Sequence, residues 1–188
     1  MKMFHPIVLL NTLGKLIRKI IAKRIQFTVL KNNFIHPCQL GGLKFKSTTD
    51  AGVALTHTVR SGWAKGKTTS TLVFDISQFF PSLNHGMLTS ILSKTGLETK
   101  VSKFFANYLV QRKTNYAWNN MQSPDFEVNI GVGQESVLSP ILLALYLTPF
   151  LHILEKCSKD LKIPISMLSF VDNGLIIAQN SSILILNS

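Results

Sequence analysis

The apolar positions of this chain change period several times, and each change marks an element. In residues 10–30, Leu13, Leu16, Ile17, Ile20, Ile21 and Ile25 recur at helical spacing with Lys15, Arg18, Lys19, Lys23 and Arg24 between them. The pattern predicts a basic amphipathic helix with a buried stripe and a solvated cationic face. Residues 36–46 are polar, contain glycine and have no clear period. A second helix is expected to take Thr48 or Thr49 as its N-cap, with Asp50 in the first turn favoured by the helix dipole, and to end near Gly66.

Residues 68–76 are β-branched and apolar, which predicts a buried strand delivering Asp75 at its far end. Residues 84–94, stopped by Gly96, read as a helix, as do residues 99–112, which carry Val101, Phe104, Phe105, Tyr108 and Leu109 on one face. Residues 114–119 and 126–130 flank a turn-rich segment, a hairpin signal. Ser139 followed by Pro140 opens an apolar helix to about Cys157, since proline suits the first helical position. Residues 165–171 and 175–178 are apolar runs separated by Asp172, Asn173 and Gly174, the signature of a tight hairpin turn. The mixture is α+β, without internal repeats or a low-complexity linker, and suits one compact unit or two interleaved lobes.

Charge narrows the choice of partner. The chain holds 20 lysines and arginines against 9 aspartates and glutamates, a formal +11. No acidic residue precedes Asp50, while Lys2, Lys15, Arg18, Lys19, Lys23, Arg24, Lys31, Lys44 and Lys46 do. Such a surface suits a polyanion: nucleic acid first, through counterion release, and an anionic membrane second. A basic helix near the N-terminus also resembles a mitochondrial transit peptide, but the segment lacks serine. Residues 136–154 form an uncharged stretch of bilayer-spanning length, yet Pro140, Pro149, Ser139, Thr148 and His152 lie within it, so a core helix is expected. Cys38 and Cys157 are far apart and in no metal-ligand spacing, which suits a reducing compartment.

Two carboxylates stand out against this apolar background. Asp75 ends an apolar run, and a buried lone carboxylate must be paired, capped or metal-bound. Asp172 sits in good turn chemistry, and taken singly either residue is explained by a cap, an ion pair or a turn. A hairpin lying beside the Asp75 strand would bring the two together, able to hold Mg²⁺ ions about 3.5–4 Å apart for in-line nucleotidyl transfer.

The runs around these residues resemble a known family. Phe74, Asp75, Ile76, Ser77, Gln78, Phe79 and Phe80, continuing to His85, look like motif A of reverse transcriptases. Gly131, Val132, Gly133, Gln134, Glu135, Ser136, Val137, Leu138, Ser139 and Pro140 look like motif B, usually G-x-x-Q-G-S-x-L-S-P. Ser169 to Gly174 is similar to motif C, usually an aromatic residue, any residue and two aspartates. His5 to Lys15 resembles the R-P-I-S-L-L-N-x-x-G-K opening of non-LTR (LINE-type) retrotransposon enzymes, and Gln39 to Ala51 resembles their Q-x-G and S-T-x-D-A segments. Five motifs in the right order are far more specific than any one.

The resemblance implies an RNA-directed DNA polymerase domain that transfers nucleotides to a primer 3′-hydroxyl with Mg²⁺ or Mn²⁺. Asp75 and Asp172 would ligate metal, with the Ile76 backbone near the metal and triphosphate and Asn173 at the second aspartate position. Phe80 matches the steric gate that excludes a 2′-hydroxyl, and Gln134 the motif B residue near nucleotide and template. RNA template, DNA primer and deoxynucleoside triphosphates are the implied partners, no membrane is expected, and nucleus or cytoplasm is the expected location. Lys15, Arg18, Lys19, Lys23, Arg24, Lys44 and Lys46 are the candidate nucleic-acid contacts. The implied architecture is the fingers and palm of a right-hand polymerase, truncated before the thumb. Residues 1–70 would be mainly fingers and 71–188 palm, with an interleaved fingers or connection portion over 95–130. Thumb, endonuclease, RNase H and the rest of the retrotransposon polyprotein are expected to be missing.

Three positions depart from the pattern. Asn173 replaces an aspartate and removes one negative charge near the metal. Glu135 replaces a glycine beside the template track, and His5 stands where arginine normally helps to hold the triphosphate. With the truncation, they lower the expected activity and favour, as an alternative, a catalytically inactive nucleic-acid-binding relic. A membrane-associated basic helical protein is the third reading.

Overall fold

The computed structural model describes residues 11–115, 117–119, 121–133, 136–160 and 165–181. In chain order the elements are α1 (Thr12–Lys31), α2 (Thr48–Ala64), β1 (Thr68–Asp75), α3 (Phe79–Ser82), α4 (His85–Lys94), α5 (Thr99–Leu109), β2 (Lys113–Thr114), β3 (Ala117–Trp118), β4 (Met121–Gln122), β5 (Phe126–Glu127), α6 (Ser139–Asp160), β6 (Ile165–Phe170) and β7 (Asn173–Asn180). They divide between two compact units, one of Met1–Asn32 with Gln78–Leu142 and one of Asn33–Ser77 with Leu143–Ser188.

In the first unit α1 opens at Asn11, whose side chain accepts the Gly14 N–H at 2.7 Å. The expected buried stripe is only half realised. Ile25 and Val29 are fully buried, whereas Leu13, Leu16, Ile17 and Ile20 are 44–64% exposed. The apolar anchoring is in the C-terminal half, beyond which the Asn32 amide donates to the Thr95 carbonyl at 2.9 Å. In α5, Val101, Phe105 and Leu109 are buried as their spacing predicts. It ends before the expected Arg112, because Val110 is extended and Gln111 is left-handed. The hairpin forms as two nested ladders, Lys113 opposite Glu127 and Ala117 opposite Gln122.

The second unit contains an antiparallel sheet of order β1-β7-β6. The N-cap of α2 is Ser47, one residue before the expected threonines. Ser47 accepts the Asp50 N–H, and the Asp50 carboxylate accepts the Ser47 N–H at 2.7 Å. Thr48 and Thr49 have Ala51 and Gly52 three residues on, which cannot return that bond. The strand β1 is not buried as expected: Leu72 and Val73 are 60% and 71% exposed. Among the described residues it is an edge strand, paired with β7.

The hairpin turn is also displaced from its expected place. Phe170 pairs with Asn173, so Val171 and Asp172 form the two-residue loop, and Asn173 and Gly174 begin β7. Gly174 lies opposite Phe74, and a Cβ there would meet the Phe74 ring, with Cε2 at 2.6 Å. The glycine therefore serves close packing inside the sheet rather than a turn.

The 22-residue α6 is long and apolar enough to cross a membrane by length and composition alone. Leu138, just before it, and Ile141, Leu142, Leu143, Ala144 and Leu145 within it are at most 3% exposed, so its N-terminal part is buried as in a core helix, whereas Phe150 and Ile153 further along are 40% and 60% exposed. Cys38 and Cys157 are both free thiols.

Candidate active site

Two backbone relationships assemble the acidic end of the sheet. Asp75 is the register partner of Asn173 at the last rung of the β1–β7 ladder. One residue further, the Ile76 N–H donates to the Asp172 carbonyl at 3.1 Å. Directly opposed residues in an antiparallel pair project to the same face, so Asp75 and Asn173 share one. The Asn173 amide then donates to Asp172 Oδ1 at 3.1 Å. Asp75 is exposed and Asp172 half-buried. Among the described residues neither carboxylate is in an ion pair.

Behind them Phe74 meets Phe150 edge-on, with centroids 6.4 Å apart, so the strand end rests on an aromatic contact. An apolar cavity of about 260 Å³, lined by Leu55, Val73, Phe170 and Leu175, borders Asn173. A larger open groove of about 830 Å³ follows α2 past Val53, His57 and Arg60 and contains neither carboxylate. The donor set at the sheet end is two carboxylates and backbone carbonyls, hard oxygens of the kind Mg²⁺ prefers. The residues fit such an ion, although Asn173 occupies one lone pair of Asp172 with a hydrogen-bond donor.

A second group of ligand atoms has a different explanation. One potential ligand atom each of His36, His152 and Glu155 lies within 4.8 Å of the others. His36 Nδ1, however, accepts the Cys38 N–H at 3.2 Å, so Nε2 carries the proton and donates to Glu155 Oε2 at 3.2 Å. Lys159 holds the other Glu155 oxygen at 2.8 Å. Lys159 and then His36 lower the Glu155 pKa, while burial, more than the nearby Glu155 charge, raises that of the Cys38 thiol. The cluster is a hydrogen-bonded ion-pair network.

In the first unit the motif B approach is tied to the motif A helix. The Val132 N–H donates to the Phe80 carbonyl at 2.8 Å, and the Gly131 N–H to the Leu83 carbonyl at 2.7 Å. The Gly131 carbonyl accepts Arg112 Nη1 at 2.6 Å and pairs with His85 Nε2 at 2.7 Å. Gly131 has φ +78°, and a Cβ would stand 2.5 Å from the Pro81 carbonyl oxygen, so both backbone and space require glycine. On the far side of the loop the Ser139 hydroxyl donates to the Gly133 carbonyl at 2.6 Å. Gln134 and Glu135, and His5 at the opening motif, lie outside the described residues. Phe80 is half-buried, whereas Phe79, 6% exposed, is the core aromatic of this pair.

The candidate cations fall into two groups. Arg18 stacks over the Tyr108 ring at 5.0 Å and donates to Ser136 Oγ at 3.3 Å, so its guanidinium is engaged inside the chain. Arg24 faces Glu98 at 3.8 Å, and Lys44 lies over Phe45 at 4.5 Å. Lys15, Lys19, Lys23 and Lys46 are exposed. Periodicity could not separate Arg18 from its neighbours, because its partners are about ninety and more residues away.

Residues 1–187 match the family model described as reverse transcriptase (RNA-dependent DNA polymerase). The chain is 24% identical to a retrovirus-related Pol polyprotein from type-1 retrotransposable element R2 of Popillia japonica, in an alignment covering 96% of this chain and 26% of that one. Its fold is similar to telomerase of Candida albicans, solved with a TWJ fragment of telomeric RNA, at TM-score 0.66 and 10% identity, covering 91% of this chain and 31% of that one. Apo telomerase of Candida tropicalis, truncated from its C-terminal domain, gives TM-score 0.65 and 15% identity, covering 94% and 36%. The chain spans about a quarter of the length of the retrotransposon polyprotein and about a third of each telomerase chain.

Proposed function

We infer the function from one premise: the chain belongs to the reverse transcriptase family, and the match to an R2 polyprotein puts it among the non-LTR retrotransposon enzymes. From it we propose that the end of the β1–β7 ladder is the catalytic face of an RNA-directed DNA polymerase. The observation that carries the reading is the pairing of Asp75 with Asn173, with Asp172 held beside them by the Ile76 N–H.

Asp75, Asp172 and the Ile76 backbone would hold Mg²⁺ or Mn²⁺. When bound, such ions lower the pKa of the primer 3′-hydroxyl and neutralise charge on the triphosphate and leaving pyrophosphate. Phe80 presents its ring to the sugar and excludes a 2′-hydroxyl, selecting deoxynucleotides. By its motif position Gln134 would contact the incoming nucleotide and template, and the Gly131, Arg112 and His85 contacts fix the backbone that leads to it. Exposed Lys15, Lys19, Lys23 and Lys46 attract the phosphates of an RNA template and DNA primer.

One observation favours a second reading, a nucleic-acid-binding relic without chemistry. The Asn173 amide points a donor at Asp172 Oδ1, where an aspartate would add a further acceptor for metal. Primer extension on an RNA template with Mg²⁺ and with Mn²⁺ separates the two. The variants to compare are Asn173→Asp, its combination with Glu135→Gly, and Asp75→Asn as the inactive control. The unmodified chain is expected to extend poorly and the double variant better. Robust synthesis that survives Asp75→Asn would defeat the assignment of the site.

A further inference from the structure

The turn that carries Asp172 is unfavourable on local grounds. Its loop is Val171 and Asp172, and Val171 has φ +59°. A β-branched residue strongly disfavours that region, which two-residue hairpin loops normally assign to glycine or asparagine. Asn173 and Gly174, the pair suited to such a turn, lie in β7 instead. Something beyond the loop itself must therefore hold the turn.

The segment from Cys38 to Gly41 is placed to do so. Ser169 donates its N–H to the Cys38 carbonyl at 2.9 Å, and its own carbonyl accepts the Leu40 N–H at 2.8 Å and the Gly41 N–H at 3.4 Å. Gln39 forms a parallel bridge with Ser169, extending the sheet beyond β6. Its side chain is 1% exposed and donates to the Gly41 carbonyl at 3.1 Å, and its buried Oε1 has no partner among the described residues. Gly41 itself lies flat on the turn. A Cβ there would collide with the Val171 nitrogen, lie 2.7 Å from the Phe170 carbonyl carbon and 2.8 Å from Val171 Cγ2. Backbone atoms cannot swing aside as a flexible side chain can.

We propose that Gly41 is a positioning residue for Asp172: the Cys38–Gly41 strap presses on the Phe170–Val171 peptide, keeps Val171 left-handed and so fixes the direction of the Asp172 carboxylate. This rests on the reading that Asp75 and Asp172 hold a divalent ion. It assigns a task to the Gln-x-Gly segment that neither charge nor turn chemistry indicates. The strap acts on Asp172 through the turn.

The test uses the full chain with Gly41→Ala, Val171→Gly, the double variant, and Gly62→Ala as a packing control. A Cβ at Gly62 first meets the end of the Gln179 side chain, whose amide would have to leave Thr58 and Thr69, so it perturbs packing away from the turn. Two measurements are made: Mn²⁺ affinity from the paramagnetic signal of free Mn²⁺, and amide shifts and hydrogen exchange at Leu40, Ser169 and Val171 to Asn173. Gly41→Ala is expected to shift those amides, speed their exchange and weaken Mn²⁺ binding by about tenfold, as loss of a residue supporting a metal ligand does. Val171→Gly in the same background removes the Cγ2 contact and lets the turn adopt the conformation without strain, so it should recover part of the affinity, the backbone contacts with the new Cβ remaining. Gly62→Ala should leave Mn²⁺ binding unchanged.

A Gly41→Ala chain that binds Mn²⁺ as tightly as the unmodified one overturns the proposal, as do unchanged amides from Val171 to Asn173. If the unmodified chain shows no Mn²⁺ binding that depends on Asp75, the polymerase reading fails, and the strap is then judged on the amide data alone. If Gly41→Ala does not fold, Val171→Gly alone is read instead: with the strap in place it should keep its amide shifts and Mn²⁺ affinity, and loss of both would show that the loop, not the strap, holds the turn.

Discussion

Asp75 and Asn173 face each other across the last rung of the β1–β7 ladder, and the Asn173 amide reaches Asp172. The departure of motif C from its family pattern is therefore felt by both carboxylates. An asparagine there removes a charge opposite Asp75 and supplies a donor to Asp172.

Restoring the aspartate should change two properties in opposite directions. Like charges directly opposed on a sheet cost roughly 0.2–1 kcal/mol, so Asn173→Asp is expected to lower metal-free stability slightly. The same change should tighten Mn²⁺ binding by about tenfold, equivalent to about 1.4 kcal/mol. Urea unfolding with and without Mn²⁺ reads both, and an unchanged affinity would remove Asn173 from the site.

Gly174 tests the register of the hairpin. The Phe74 ring fills the space of its missing side chain, so Gly174→Ala should cost about 1–3 kcal/mol by overpacking. Phe74→Leu in the same background should relieve part of that cost. Denaturant midpoints for the two variants and their combination give the coupling. Independent effects would contradict the contact.

The α2 capping box predicts an acid-sensitive helix end. Ser47 lowers the Asp50 pKa through its hydroxyl and backbone hydrogen bonds. A depressed folded-state pKa stabilises above the unfolded value, and that contribution is lost as pH falls through the folded value. Ser47→Ala should cost about 1 kcal/mol near neutral pH, with a smaller difference in acid. Thermal unfolding from pH 7 down to the acid limb measures it, and a pH-independent difference would exclude the box.

The basic helix should separate into binding and structural cations. Changing Lys15, Lys19 and Lys23 together to alanine should reduce the salt dependence of RNA binding, the log–log slope falling by roughly 2–3. Arg18→Ala should lower stability through its Tyr108 and Ser136 contacts. Fluorescence anisotropy across a salt series, paired with denaturant melts, distinguishes the two. A slope change from Arg18 equal to that of an exposed lysine, without lost stability, would reverse the assignment.

The sequence determined what depends on neighbours along the chain. The helical period of residues 12–31, the Ser139-Pro140 helix start and the nested hairpin near residues 113–127 all formed as local chemistry directs. The order of five motifs likewise carries the resemblance to the family in the sequence itself.

Tertiary structure decided what depends on distant backbone. Turn chemistry favoured Asn173 and Gly174 for the hairpin loop, but Phe74 requires a side-chain-free residue inside the sheet, so the loop moved to Val171 and Asp172. Helical spacing made Arg18 equivalent to Lys19, and it is the Tyr108 ring and the Ser136 hydroxyl, ninety and more residues away, that distinguish them. Periodicity marked the β1 strand as buried, but its edge position leaves Leu72 and Val73 exposed. Local sequence fixes torsional preference and amphipathic period, whereas register, exposure and the choice of side-chain partner follow from excluded volume between segments far apart in the chain.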